Sequence, residues 1–259
     1  MNKYAYAKVN IFLKISGKRG DYHEIESRFV RVKSKYDIIG FAKGNNKTFK
    51  LEGEFGCPTE KNTIYKAYKL LCEISPKVEE FFKSHFVRVF KNIPEFAGLG
   101  GGSSNAATFM IMVNEACELG LSTDELVKIG IQIGADVPFF LYGVDSANVS
   151  GIGEIVEAFE DELPQFIGTN TPPIRCNTGE IYTAFREHFY KEISKEEAEK
   201  LKSMTTKELL KKYSREELND LYEPALHVYP MLLPENFGIS TDAFFSGSGS
   251  SFFFEETFE

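Results

Sequence analysis

Four groups of residues in this chain combine reactive chemistry with informative spacing. The first is Pro94-Glu95-Phe96-Ala97-Gly98-Leu99-Gly100-Gly101-Gly102-Ser103-Ser104, followed by Asn105-Ala106-Ala107. Glycines let backbone N–H groups come close to a ligand. A helix that begins inside such a run aims its free N–H groups and the positive end of its dipole into the same space. That arrangement holds anions, phosphate above all. The second group is Lys8 and Asn10, an ammonium and an amide flanking Val9. The third is Asp136 in Gly134-Ala135-Asp136-Val137-Pro138, a carboxylate in a turn of small residues. The fourth is Tyr22-His23, an aromatic ring next to an imidazole.

The glycine loop needs an element on each side. Phe86-Val87-Arg88-Val89-Phe90 reads as a strand entering it, and Ala106 to Leu119, stopped by Gly120, as a helix leaving it. A flexible linker has no need of a helix behind it. The loop is not a P-loop, which requires a lysine before its final Ser/Thr, since no lysine lies between Lys91 and Lys128. Nor is it the dinucleotide pattern, whose third glycine is replaced by Ser103.

Lys8 and Asn10 sit in a clean alternation. Val9, Ile11, Leu13 and Ile15 form one face, and Lys8, Asn10, Phe12 and Lys14 the other. By pattern alone this is a half-buried strand with a solvated outer face. Residues 17–23 read as a polar turn rich in donors, followed by strands near 25–32, 37–41 and 48–51. Asn62 is placed to cap a helix carrying Ile64, Ala67, Tyr68 and Leu71, with Pro76 beyond its end. Ser122 with Glu125 forms a capping box for the next helix, which Gly134 closes. Pro138 opposes a continuing helix, so Asp136 stands at an element end. A carboxylate there is commonly a turn or cap residue, although element ends also display reactive groups.

Farther on, strands are expected near 148–155 and 163–167, and Thr178 can cap a helix containing Ile181 and Phe185. Ser194/Glu197, Thr205/Glu208 and Ser214/Glu217 repeat the capping-box spacing in a Lys/Glu-rich block that reads as a solvated outer layer. The chain then gives Ala243-Phe244-Phe245, a second small-residue loop Ser246-Gly247-Ser248-Gly249-Ser250-Ser251, and Phe252-Phe253-Phe254. No helix follows this second loop.

At 259 residues the chain can bury a substantial core in two modest domains. Its net charge of −8 argues against nucleic acid and against an acidic membrane surface, both of which call for a positive field. An anionic ligand must therefore be held by local donors. Cys57, Cys72, Cys117 and Cys176 are scattered, which indicates neither a zinc site nor a disulfide framework. There is no basic-then-apolar leader and no apolar run of membrane-spanning length. A reduced, cytoplasmic protein is expected.

In this order the pieces resemble the GHMP kinase superfamily of small-molecule kinases. The resemblance is carried by Ala7-Lys8-Val9-Asn10-Ile11-Phe12-Leu13, Asp21-Tyr22-His23, residues 94–107, residues 134–138, Gly151-Ile152-Gly153-Glu154 and Ser246-Gly247-Ser248-Gly249, and runs from residue 5 to about 254. Most members carry Gly-Leu-Gly-Ser-Ser-Ala. The longer loop here is similar to that of the branch acting on a cytidine diphosphate-linked methylerythritol in the non-mevalonate route to isoprenoids. The resemblance implies an α+β, two-domain GHMP kinase fold. Residues 1–146 would form the ATP-binding and catalytic domain (ribosomal protein S5 domain 2-like). Residues 147–259 would form the substrate-side domain (a ferredoxin-like α/β sandwich), cut short at its C-terminal edge because the family normally continues past the second loop.

It further implies ATP-dependent phosphorylation of the substrate's 2-hydroxyl, with Lys8 and Asp136 on the two catalytic positions. Pro94 through Ser104 would bind the ATP phosphates. Asn10, Tyr22, His23, Thr178 and Tyr182 would bind the substrate, Tyr182 at a position where the family stacks an aromatic ring on the base. Magnesium is expected with ATP, with no dedicated acidic pair to hold it. A monomer or weak homodimer is expected. The family usually has Asp-Gly-Tyr-His where this chain has Gly20-Asp21-Tyr22-His23, which leaves the cytidine-side turn shortened or reordered. Two other readings stay open: a mevalonate- or homoserine-type kinase, and a non-catalytic sensor of ATP or sugar.

Overall fold

A computed structural model describes residues 2–255. The chain divides into two compact units that interleave in sequence. One takes residues up to Ala7, Lys35–Ile93 and Gly100–Val144; the other takes Lys8–Ser34, Pro94–Leu99 and Asp145 onward. Two long strands, β1 (Asn2–Arg19) and β2 (Tyr22–Lys43), contribute to both.

In place of a broad polar turn, only Gly20 and Asp21 separate β1 from β2. Gly20 has φ +60°, the left-handed conformation that glycine adopts without penalty. The strands expected at 25–32 and 37–41 are one strand, because Lys33 to Tyr36 keep the extended conformation despite their polarity. The expected strand at 48–51 shrinks to β3 (Leu51–Glu52).

In the first unit, β4 (His85–Phe90) pairs antiparallel with β2, Ile38 opposite Phe90 and Lys43 opposite His85, and β3 pairs parallel with β4. Five helices belong to this unit: α1 (Thr63–Ile74), α2 (Pro76–Ser84), α3 (Gly101–Ala116), α4 (Thr123–Gly130) and α5 (Val137–Tyr142). Asn62 caps α1 by accepting from the Ile64 N–H, as its spacing predicts. Pro76 opens α2 at its first position, where proline lacks only an N–H that would be orphaned anyway. Pro138 likewise lies in the first turn of α5, so Asp136 occupies that helix's N-cap position. Helix α4 ends at Gly130, short of Gly134. Aromatic rings pack closely in this core. Phe49 stacks on Tyr68 at 4.1 Å, and Phe82 meets Phe41 edge-on at 5.4 Å and stacks on Phe109 at 5.7 Å.

Helix α3 is apolar on almost every side, with Ala106, Ala107, Phe109, Met110, Met112 and Val113 all fully buried. Its small residues let α1 and α5 pack on it. It begins at Gly101, well before the expected Ala106, because Gly100 takes φ +68° and turns the chain directly into the helix.

In the second unit, β5 (Ser146–Gly151) pairs antiparallel with β2 and with β6 (Ile155–Ala158). A three-stranded sheet follows the order β7 (Ile167–Asn170), β9 (Phe252–Glu255), β8 (Phe244–Phe245). The strand expected at 163–167 therefore begins where that stretch ends. Helices α6 (Thr178–Ala184), α7 (Lys195–Ser203), α8 (Thr206–Lys212), α9 (Arg215–Leu218) and α10 (Tyr222–Val228) complete it. Thr205/Glu208 and Ser214/Glu217 form full capping boxes, while Ser194 caps α7 by accepting from the Glu197 N–H. Ile15, Ile181, Phe185, Leu221, Phe245 and Phe252 form the centre of its core.

Candidate active site

The first unit builds a helix start that leaves backbone donors free. The first helical hydrogen bond of α3 runs from the Ser104 N–H to the Gly100 carbonyl at 2.9 Å. The N–H groups of Gly101, Gly102 and Ser103 precede it and have no partner within the helix. Gly102 is exposed and Ser103 half-buried. Thr63 at the start of α1 donates to the Gly102 carbonyl at 2.7 Å, and a Cβ on Gly101 would lie 2.8 Å from Ile93 Cγ2. Glycine at 101 is thus dictated by packing, and at 100 by dihedral angle.

The turn carrying Asp136 lies against this helix start. A Cβ on Gly134 would lie 3.6 Å from Ser103 Oγ. Asp136 is half-buried and holds the N-cap position of α5, yet its side chain does not cap that helix.

The second unit holds Lys8 and Asn10. Both faces of β1 are buried from Ala7 to Phe12, so the face expected to be solvated is not: Lys8 is 4% exposed and Asn10 1%. Alternation failed as a guide here because neighbouring chain covers the polar face as well. Lys8 Nζ donates to Asn10 Oδ1 at 2.6 Å and sits 4.3 Å from the Phe29 ring centroid. Asn10 Nδ2 in turn donates to Ser27 Oγ at 3.0 Å. Asn10 therefore has its amide oriented on both sides, and Lys8 is held by a fixed acceptor.

The loop segment Pro94–Leu99 belongs to this unit and is clamped by the second glycine-serine loop. Ser246 Oγ donates to the Gly98 carbonyl at 3.0 Å and accepts from the Asn10 N–H at 3.3 Å. The Lys8 N–H donates to the Leu99 carbonyl at 3.0 Å, the Cys176 N–H to Phe96 at 3.3 Å and the Ser251 N–H to Ala97 at 3.2 Å. Arg175 pairs with Glu95 at 3.3 Å and stacks over Phe96 at 4.5 Å. Gly98 has φ +72°, and a Cβ there would lie 2.0 Å from the Ser246 carbonyl oxygen. Asn219 steadies the second loop by donating to the Phe245 and Gly247 carbonyls, each at 3.0 Å. That loop is a buried support, not merely a turn between strands. Neither Ser246 nor Asn219 was identified from sequence as a site residue.

A cleft of about 950 Å³ in the second unit is lined by Tyr22, His23, Thr178 and Tyr182, bringing four of the sequence-predicted residues together. His23 and Tyr182 rings stack at 5.0 Å with 22° between planes. Tyr22 is 66% exposed, whereas His23 is 6% exposed. Thr178 does not cap α6; Asn177 does, and Thr178 Oγ1 instead hydrogen-bonds Ser248 Oγ at 2.8 Å. Tyr182 packs partly on the core while lining the cleft. His23 Nε2 is buried with no hydrogen-bond partner, a deficit that ordinarily costs about 1–3 kcal/mol and that a ligand edge would relieve. Burial pushes the imidazole below its ordinary pKa, helped by the charges of Arg186 and Lys18. The ring is therefore neutral at pH 7. The stability linked to it is fully present above the unfolded value of about 6.5 and is lost as pH falls toward the lowered folded value.

The four cysteines are free thiols. Among the described residues no helix is long and apolar enough to cross a membrane.

Residues 62–144 match the family described as GHMP kinases N terminal domain. A 4-diphosphocytidyl-2-C-methyl-D-erythritol kinase of Sulfurimonas denitrificans is 52% identical over 256 residues, covering 96% of this chain and 94% of that protein. Its counterpart in a Sulfurovum species is 47% identical, covering 96% of each. A crystal structure of 4-(cytidine 5'-diphospho)-2C-methyl-D-erythritol kinase superposes with a TM-score of 0.70 at 29% identity, covering 98% of this chain and 89% of that one. The chain belongs to the GHMP kinases, and within them to the family of 4-diphosphocytidyl-2-C-methyl-D-erythritol kinases. Its architecture is accordingly the α+β GHMP kinase fold.

Proposed function

We propose that this chain transfers the γ-phosphoryl group of ATP to the 2-hydroxyl of 4-diphosphocytidyl-2-C-methyl-D-erythritol, releasing ADP, as a step in isoprenoid precursor synthesis by the non-mevalonate route. The relatives at 52% and 47% identity support the substrate. The observation that carries the chemistry is the Gly134–Asp136 turn against the first turn of α3, since the base and the phosphate-binding N–H groups then share one wall.

Residues 94–104 wrap the ATP phosphates with backbone N–H groups, and the helix dipole adds about 0.3–1 kcal/mol. Asp136 accepts the hydroxyl proton, and Lys8 orients the hydroxyl and offsets charge on the moving phosphoryl group. Asn10 fixes the Lys8 ammonium. Tyr22, His23, Thr178 and Tyr182 receive the cytidine end, the neutral imidazole of His23 bonding to an edge of the base. Residues 1–146 carry the ATP-binding and catalytic groups and 147–259 the rest of the substrate side. Among the described residues no group of three or more His, Cys, Asp or Glu is placed to hold a metal. Magnesium bound with ATP would be carried by phosphate oxygens and water, where it would neutralise phosphate charge. We place the protein in the cytoplasm, as a monomer or weak homodimer.

Cytidine diphosphate tests the cleft. It should inhibit competitively against the methylerythritol substrate and not against ATP. In His23→Ala its inhibition constant should rise about tenfold, the loss of one buried hydrogen bond, with the KM for ATP unmoved. Competition with ATP alone would remove the cleft from the reading.

A further inference from the structure

Asp37 is a fully buried carboxylate that the phosphoryl transfer does not use. Its Oδ1 accepts from the backbone N–H groups of Asn92 at 2.6 Å and Ile93 at 2.8 Å. Its Oδ2 accepts from Asn105 Nδ2 at 2.8 Å and from Lys91 Nζ. Lys91 closes the network by donating to Asn105 Oδ1 at 3.0 Å. A carboxylate has about four acceptor sites, and each is filled here. All of these residues lie in the first unit.

The partners share a location in the chain. Asn92 and Ile93 are the last residues before the loop opens at Pro94, and Asn105 is in α3 just after the loop closes. Ile93 also packs against Gly101, where a Cβ would lie 2.8 Å from its Cγ2. One side chain on β2 therefore ties together both stems of the glycine loop. A buried ion pair gives little net stability compared with apolar packing of the same volume. It does impose direction, because its hydrogen bonds are satisfied in one arrangement and costly in any other.

We propose that Asp37, acting through Lys91 and Asn105, is a positioning residue for the phosphate-binding start of α3. It sets the incoming stem against the helix and so fixes where the N–H groups of Gly101, Gly102 and Ser103 point. This rests on residues 94–104 being the ATP phosphate loop.

The test is read on Asn105→Ala, which cuts the tie to α3 while leaving the Asp37–Lys91 pair and both backbone bonds in place; Asp37→Asn, checked for folding by circular dichroism, accompanies it. Melting, ATP binding by calorimetry and steady-state kinetics are measured on the full chain. In Asn105→Ala the melting temperature should fall by only a few degrees, about 2–4 °C per kcal/mol lost. The ATP dissociation constant and the KM for ATP should rise about 10- to 100-fold, the scale of one lost hydrogen bond to a charged phosphate. The KM for the second substrate should stay within about twofold, because uniform binding of that partner is untouched. Unchanged ATP binding in Asn105→Ala, or KM values rising together for both substrates, would overturn the positioning role. Failure of the wild-type chain to bind ATP would instead overturn the phosphate-loop reading, and this inference with it.

Discussion

Asp136→Asn is expected to bind ATP normally and to lose turnover by about 10²- to 10⁴-fold, the usual contribution of a general base. The substitution is nearly isosteric and isolates the proton-accepting charge. Asparagine is as good an N-cap as aspartate, so a purely structural role at the start of α5 predicts almost no change. The structure already weakens that alternative, because the Asp136 side chain makes no cap bond. A calorimetric ATP titration beside a single-turnover rate separates the two. Turnover within a few-fold of wild type would remove Asp136 as the base.

Gly98→Ala should be the most damaging small change outside the proposed catalytic residues Lys8 and Asp136. It combines two penalties. The left-handed backbone at φ +72° costs a side-chain-bearing residue about 1–2 kcal/mol. The added Cβ would also lie 2.0 Å from the Ser246 carbonyl oxygen, which is backbone and must move as a segment. Ser246 accepts from the Asn10 N–H as well, so the displacement reaches the strand that presents Lys8. A fall in kcat/KM of about 10²-fold is expected from a shift near 1 Å. Gly120→Ala is the control. Gly120 has φ +67° with nothing within 4 Å of the added atom, so it carries the dihedral cost alone. Equal kinetics for the two variants would show that the clamp between the loops has no bearing on catalysis.

What could be read from sequence was local. The glycine loop announced itself because glycines, serines and a following helix are contiguous, and Asn62 and the Ser122 box because caps act over two or three residues. What escaped was set by distant partners. The need for glycine at 98 comes from Ser246, 148 positions away. Asp37 looked like an ordinary strand residue, since Lys91 and Asn105 lie 54 and 68 positions from it. Alternation along β1 correctly gave a strand but wrongly gave Lys8 a solvated face, because periodicity cannot report what covers the second side. Pro76 does lie beyond the end of α1 and Asp136 does stand at an element end, as expected; what the sequence did not show is that each proline also sits in the first turn of a new helix, where its fixed φ suits the start. His23 was legible as a donor-rich neighbour of an aromatic; its unpartnered Nε2 was not, since burial comes from α6.

The central claim is the identity of the phosphoryl acceptor. A coupled ADP-release assay with ATP, run in parallel on 4-diphosphocytidyl-2-C-methyl-D-erythritol, mevalonate, homoserine and galactose, addresses it directly. ADP release is predicted with the first substrate and at background with the other three. Release with mevalonate, homoserine or galactose, and none with the cytidine diphosphate-linked substrate, would contradict the account.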